Sequence, residues 1–434
     1  APPTPYYAPS AVAAGTDENS LTLSPKAYPI MLNLTIPTTF TASCAESLTQ
    51  LNHEYAPSDR RVHEVYGSLQ NAPFNSARPA KYLPSPTQTQ FRQHIRALAD
   101  SDIGFNYLLN APSYANYEYT SQGRAELEEL LTLLVDCGVR SVTVAVPYMA
   151  RIIASRYPAL EVVTSTIGYV GAMRGIDQWL EAGAKRIVLD VEANRDFRFL
   201  KRASLESPVP LEVIANPVCI SQCHYKYNHY CVAAHGSQKP SGSGVPGFPY
   251  NGFYLNWCFL KKLASPGEFL KSPWIRPEDL PLWEKAGLRF FKLAGRGMPE
   301  TQILSLSRAY LSGCFQGDLL DLLCWPHWQS FRKNLDGSLL PPLEIHLPNE
   351  ALTGFLDFFY EKLPECRLGC KGCEHCSAWA KRVLTVNSQE LLYRYVDNMR
   401  RNLNELTSHL STPEEDAALQ KQWQEQADKQ MLDQ

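Results

Sequence analysis

The stretch Ala125–Val146, AELEELLTLLVDCGVRSVTVAV, holds the pattern that decides the fold. Leu127, Leu130, Leu131 and Leu134 recur at i, i+3, i+4 and i+7, which places one apolar stripe on a helix. Cys137-Gly138 ends that helix, because glycine accepts the left-handed turn at a helix C-terminus, and Val142–Val146 follows as a strand. The same order returns at Ile176, Trp179 and Leu180, then Gly183, then RIVLD at 186–190. It returns again around Trp283, Gly287 and RFFKL at 289–293.

Outward from these units, apolar runs at Ile30–Ile36, Ile103–Leu109, Val142–Val146, Glu161–Thr164, Arg186–Asp190, Leu211–Ala215 and Phe290–Leu293 read as strands separated by amphipathic stretches. Repeated β-α units predict an α/β fold with a parallel sheet, and their number favours a TIM-like (β/α) barrel over an open doubly wound sheet. The expected organisation is an arm over 1–27, a barrel over 28–341, a cysteine-rich extension over 342–385, and a C-terminal helix and tail over 386–434. Chemistry in such a barrel gathers where strands end, which singles out Asn110, Ser165, Asn194, Asn216, Lys292 and Arg296. The competing reading of each is a loop cap or a structural clamp, Arg296 on a carboxylate such as Asp190 for example.

With 434 residues, 44% hydrophobic and 20% charged, the chain can bury a full core. Its formal charge of -3 and pI near 6.4 supply no general attraction for a polyanion, so a nucleic-acid substrate is not expected. No apolar run is long enough to span a membrane. Ala1–Ser24 lacks the basic and apolar regions of a secretory signal, and a cytoplasmic location is expected. The sequon Asn33-Leu34-Thr35 falls in a predicted strand and reads as a chance occurrence.

The 12 cysteines are unevenly distributed. Cys44, Cys137, Cys314 and Cys324 are scattered and read as packing residues. Cys219, Cys223 and Cys231 lie in CISQCHYKYNHYC, with Cys258 beyond a Gly-, Pro- and Ser-rich loop. Cys366, Cys370, Cys373 and Cys376 fall in CRLGCKGCEHC with gaps of three, two and two, the reverse of the ferredoxin order in which thiolates converge on an iron-sulfur cluster. Zinc is the alternative metal, although structural zinc sites usually pair two knuckles across a longer loop; disulfides or free thiols remain a third reading. His224, His229 and His235 surround the first group, with His229 the preferred ligand or proton donor, and His375 sits inside the second. The remaining histidines read as structural. Gly242, Gly244 and Gly247 fit G-x-G-x-x-G but follow no strand, and neither H-E-x-x-H nor G-x-S-x-G occurs.

Three stretches resemble the collagenase-like peptidase family, which includes oxygen-independent hydroxylation proteins. VVTSTIGYVGAMRGIDQWLEAGAKRIVLDVEANRDF at 162–197 resembles the family's strand, helix, glycine-alanine turn and strand ending in an acidic residue. LEVIANPVCISQC at 211–223 resembles its cysteine-bearing element, with Asn216-Pro217-Val218 where the family carries His-Gly-Ala. IRPEDLPLWEKAGLRFFKLAGRG at 275–297 resembles S-x-x-D-L, a glycine turn and K-I-E-G-R, with Lys292, Gly295 and Arg296 in register and Ala294 replacing the acidic residue. The likeness covers about Asn106 to Tyr310.

The resemblance implies a TIM-barrel-like enzyme with a [4Fe-4S] cluster and hydroxylation in which prephenate supplies the oxygen atom. It implies Cys219, Cys223 and Cys258 as ligands and Cys231 as a fourth, with His229, Cys44 or an open iron as alternatives. Lys292 and Arg296 would neutralise the carboxylates of the donor. The expectation is thus an iron-sulfur hydroxylase with one or two clusters, acting on a small molecule or peptide and pairing with a partner of its own family. A peptidase, an RNA hydroxylation factor and a non-catalytic assembly subunit are the alternatives.

Overall fold

The structure, a computed structural model, describes residues 31–41, 43–70, 72–78, 84–236, 253–323, 325, 338–362, 366, 370, 372–408, 412, 414 and 417. The expected arm, the glycine-rich loop with Gly242, Gly244 and Gly247, and Cys324 lie outside these residues. Eight parallel strands close into a barrel in sequence order. They are β1 (Leu32–Pro37), β2 (Arg60–Gly67), β3 (Gly104–Leu109), β4 (Ser141–Val144), β5 (Glu161–Thr164), β6 (Arg186–Val188), β7 (Leu211–Ile214) and β8 (Phe290–Lys292). Closure is made by β1 on β8, with Asn33, Leu34 and Thr35 opposite Phe290, Phe291 and Lys292.

The strands alternate with α1 (Cys44–Tyr55), α2 (Gln88–Asp100), α3 (Ser121–Asp136), α4 (Pro147–Arg156), α5 (Met173–Glu181) and α6 (Phe197–Glu206). Among the described residues, the connection from β7 to β8 carries four α-helices: α7 (Lys226–His235), α8 (Phe253–Ala264), α9 (Gly267–Lys271) and α10 (Leu280–Lys285). After β8 come α11 (Glu300–Ser312) and α12 (Leu319–Leu322). The extension then supplies β9 (Ile345–His346), α13 (Asp357–Glu361), α14 (His375–Val383), β10 (Thr385–Val386) and α15 (Gln389–Ser408), with β9 and β10 antiparallel. Among the described residues no helix is long and apolar enough to cross a membrane.

The leucine stripe behaves as its spacing predicts. Leu127, Leu130, Leu131 and Leu134 are buried on α3, and Gly138 takes the left-handed conformation at φ +81° that ends the helix. The seven expected strands are present, β5 with the expected bounds and the other six with shifted ends. The eighth, β2, was not expected, because RRVHEVYG is too polar to read as a core strand.

Its polarity is explained by the barrel interior. Such barrels are usually filled by branched aliphatic residues. Here Thr35, Glu64, Asn106, Thr143, Thr164, Arg186, Glu212 and Lys292, one from each strand, are all buried. Arg186 Nη2 donates to both Glu64 oxygens, at 2.8 and 2.7 Å. Ser141 and Asn106 complete the Glu64 shell at 2.6 and 3.0 Å, and Thr143 donates to Asn106 at 2.7 Å. His63, read as lacking any surrounding constellation, joins this network: its Nε2 lies 3.0 Å from Thr35 Oγ1 and 3.4 Å from Arg186 Nη1.

Among the scattered cysteines, Cys44 is buried, but Cys314 is exposed and is not a packing residue. It follows Gly313, whose φ of +70° turns the chain out of α11 into solvent.

Removing one member of the Glu64–Arg186 pair leaves a buried charge without its counter-ion. Arg186→Ala is therefore expected to lower stability by about 3–5 kcal/mol, read as a fall in urea midpoint, whereas replacing both by apolar residues costs less. A neutral Arg186→Ala would contradict the network.

The same groups set an acid limit. Burial and the nearby Arg186 lower His63 from its ordinary 6.5 to about 3. Burial raises Glu64, but Arg186, His63 and its hydrogen bonds outweigh that and bring it from 4.5 to about 2. The unfolded chain therefore takes up protons first, so this stabilisation is present above pH 6.5 and is lost progressively as pH falls through these two intervals. A urea midpoint that rises between pH 6.5 and 4.5 would be the wrong sign.

Candidate functional site

The C-terminal ends of the strands bring together loops that are distant in sequence. Leaving β6, Asp190 accepts a hydrogen bond from Lys226 Nζ at 2.8 Å, and Glu192 lies 3.6 Å from the same ammonium. Glu192 also accepts from Ser221 Oγ at 3.0 Å and from the Gln222 backbone N–H at 2.9 Å. Two carboxylates after one strand thus pin the loop that carries Cys219 and Cys223 after the next. Gln222 adopts φ +53°, the left-handed turn that folds this loop back.

Cys258 reaches the same region from α8. Burial raises the thiols of Cys219 and Cys258, the latter to about 12; Lys226 and Lys262 draw Cys219 back, Lys262 draws Cys258 back, and the nearby Cys219 and Cys223 push Cys258 further up. Lys262 lies one turn after Cys258, is fully buried, and donates to Ser272 Oγ at 2.5 Å and the Glu268 carbonyl at 3.0 Å. Its own pKa is lowered to about 8 by burial, against the opposing pull of Cys258 and Cys219. Cys231 instead faces Tyr227 on α7, and Cys44 lies 3.8 Å from Thr38 Oγ1 at the corner between β1 and α1.

Cys366, Cys370, Cys373 and Cys376 form a second group in the extension. Burial raises Cys376 to about 11, and Arg195 opposes that rise. Arg195 is buried, donates to the Leu270 and Ser272 carbonyls at 2.7 and 2.6 Å, and lies over the rings of Trp274, Phe355 and Phe359. A cavity of about 210 Å³ is lined by Ser221 and Gln222 of the loop that carries Cys219 and Cys223, by Cys366, Cys370 and Cys376, and by Glu192 and Arg195.

Among the described residues, no three His, Cys, Asp or Glu side chains gather closely enough to hold a metal ion. A single zinc draws its four ligands to about 2.3 Å from one point, whereas a cluster spreads its thiolates over several iron atoms. Each set of soft thiols stands beside a buried cation, Lys262 for the first and Arg195 for the second.

The remaining predicted residues divide. Asn110 Nδ2 donates to Ser165 Oγ at 3.2 Å, which joins the ends of β3 and β5. Asn194 donates to the Ile214 and Pro273 carbonyls, both at 2.8 Å. Asn216 donates to the Ala294 and Leu322 carbonyls at 3.0 Å and accepts from the Ala294 N–H at 2.7 Å. Asn216 thus clamps backbone with both ends of its amide, while Asn194 clamps backbone through Nδ2 and its buried Oδ1 has no hydrogen-bond partner.

Arg296 does not clamp Asp190, which Lys226 holds; its Nη1 donates to Ser76 Oγ at 2.7 Å. Burial and neighbouring Arg78 lower Arg296 to about 10. Lys292 is buried with its Nζ 4.3 Å from the Tyr66 ring centroid. His229 stacks on Tyr254 at 5.7 Å, and burial lowers it to about 4, so it is neutral near pH 7. His375 stacks on Phe358 at 3.9 Å and its Nε2 lies 3.1 Å from the Phe355 carbonyl, which directs that nitrogen to backbone rather than to a thiol.

Glu192, Arg195, Lys226 and Lys262 were not singled out in the sequence. The cluster DVEANRD after a strand carried a signal for the first two; nothing local marked Lys262.

No family model matches the chain. An uncharacterized protease of Methanocaldococcus jannaschii is 25% identical over 304 residues, which cover 70% of this chain and 84% of the relative. A solved U32 peptidase aligns at 17% identity over 61% of this chain and 93% of its own, with a TM-score of 0.42. D-psicose 3-epimerase of Clostridium cellulolyticum aligns at 10% identity over 68% of this chain and 100% of its own, with a TM-score of 0.33. The molecule is a TIM-like (β/α) barrel. Its motifs resemble those of the collagenase-like peptidase family, and the chain is similar to the Methanocaldococcus jannaschii protease over most of both lengths.

Because Asn216 makes three backbone hydrogen bonds, Asn216→Ala is expected to cost about 2–3 kcal/mol, measured by urea unfolding. A loss below about 0.5 kcal/mol would return Asn216 to the candidate ligand contacts.

Proposed function

We propose that the chain is an iron-sulfur oxidoreductase that hydroxylates a small molecule or peptide without molecular oxygen, using an anionic oxygen donor such as prephenate. The observation that carries this reading is the gathering of Cys219, Cys223 and Cys258 beside Lys262, on a loop whose Ser221 and Gln222 share a cavity with Cys366, Cys370 and Cys376 beside Arg195. A [4Fe-4S] cluster on Cys219, Cys223 and Cys258, with a second on Cys366, Cys370, Cys373 and Cys376, would supply redox-active iron and, with three protein ligands, an exchangeable coordination position.

The chain's own residues have separate tasks. Glu192 and Lys226 fix the loop bearing Cys219 and Cys223, and Lys262 and Arg195 offset thiolate charge. Arg296 offers a cationic contact for a donor carboxylate, and Lys292 and the joined Asn110–Ser165 pair offer polar contacts beside it. Neutral His229 and its stacked tyrosine help exclude water from the approach to the thiols.

Protein purified without air is expected to contain iron and acid-labile sulfide, about eight iron per chain for two cubane clusters. Cys219→Ala and Cys223→Ala should each lose the iron of the first set while circular dichroism still reports the barrel. Full iron in both variants would sink the assignment.

Arg296→Ala should weaken prephenate binding by roughly 10–100-fold in calorimetry with iron content unchanged, the loss expected for a charge-assisted contact. Unchanged affinity would remove Arg296 from donor binding.

The name of the archaeal relative favours a second reading, a peptidase. Metal-replete protein incubated with peptides would reveal new N-termini on that reading, and their absence would exclude it.

A further inference from the structure

We propose that Lys292 is an amine nucleophile that captures the carbonyl carbon of a 2-oxo acid as an iminium. The inference rests on the reading above that the barrel mouth receives an anionic co-substrate, and it gives that co-substrate a chemical class. Lys292 ends β8, where it lies opposite Thr35 of β1 and Ile214 of β7. It is 7% exposed, and its Nζ is buried without a hydrogen-bond partner in the structure. An ammonium carries three N–H donors and is costly to bury with all of them unmade, whereas an uncharged amine is much cheaper to keep there.

Its surroundings point the same way. The face of Tyr66 lies 4.3 Å away, and the Tyr66 hydroxyl is committed to the Leu293 carbonyl at 2.8 Å. Burial lowers the pKa of Lys292, and neighbouring Arg186 and Arg296 lower it further, while Glu212 and Glu64 oppose the shift. On the adjoining strand, Glu212 is fully buried and neither of its carboxylate oxygens has a hydrogen-bond partner. A buried acceptor therefore stands beside a buried amine. Arg296, four residues beyond Lys292, lies near enough to Arg78 for that guanidinium to add to the effect of burial in lowering its pKa, and together the two provide guanidinium groups for one carboxylate.

In the step proposed, the uncharged Nζ adds to the 2-oxo carbon. A C–N bond forms and the carbonyl π pair moves to oxygen. Glu212 accepts the proton from the new ammonium and passes it to that oxygen, giving a carbinolamine. One further proton from solvent lets the hydroxyl leave as water, and the iminium remains. No electrons are exchanged, and hydration reverses the step. The iminium then draws electron density from the bonds at the neighbouring carbon while the guanidinium groups hold the carboxylate.

The test is borohydride trapping on the full chain as purified, with pyruvate and, separately, acetaldehyde as probes, followed by peptide mapping. Pyruvate should leave its reduced adduct on Lys292 above all other lysines, and the adduct should be lost in Lys292→Arg. Arg296→Gln should lower the pyruvate adduct while sparing that of acetaldehyde, which has no carboxylate. No pyruvate adduct at Lys292 in the unmodified chain, or one no greater than at exposed lysines, overturns the proposal. Trapping needs no iron, so Cys219→Ala should still form the adduct. Iron present without trapping overturns the Lys292 proposal alone; trapping in a chain that never contains iron supports it and removes the iron-sulfur reading.

Discussion

The ion pair between Arg186 and Glu64 is the constraint on which the barrel depends. Burying two charges costs more than their attraction returns unless every remaining donor and acceptor is engaged. Glu64 meets that demand through Arg186, Ser141 and Asn106, which come from three other strands. The pair is therefore satisfied only when β2, β3, β4 and β6 are assembled in register. Where an aliphatic core would tolerate slippage, this one penalises it with an uncompensated charge.

That interior also bears on the mouth of the barrel. Charge in the lumen runs from Glu64 and Arg186 through Glu212 to Lys292, and Lys292 adjoins the loop that carries Arg296. A polar interior lets cationic groups stand at the strand ends without an aliphatic layer beneath them. On the outer side of the same face, the carboxylates that leave β6 hold the cysteine loop that leaves β7, and Arg195 spans from β6 to the extension. Scaffold and candidate chemistry share residues there, so Glu192 and Arg195 are as much part of the thiol site as the cysteines.

The fold was legible wherever local periodicity carried it. The leucine stripe of α3, the glycine turns at 138, 183 and 287, and the apolar runs of β3, β5 and β7 follow from side-chain spacing and backbone sterics alone. β2 was not legible, because its inward residues are charged and their partners lie far along the chain. The asparagines at strand ends looked alike in the sequence. The structure separates Asn110, joined to Ser165, from Asn194 and Asn216, which are consumed by backbone carbonyls.

By itself the sequence determined the repeated helix, glycine and strand units, and hence a parallel barrel, together with two local runs of thiols. Only the tertiary structure decided that Cys258 comes beside Cys219 and Cys223, and that the second run shares a cavity with Ser221 and Gln222 of their loop. Spacing along a chain fixes which side chains share a face over a few residues. Which faces meet is set by burial and pairing across hundreds of residues, where one buried lysine or arginine selects its neighbours through charge.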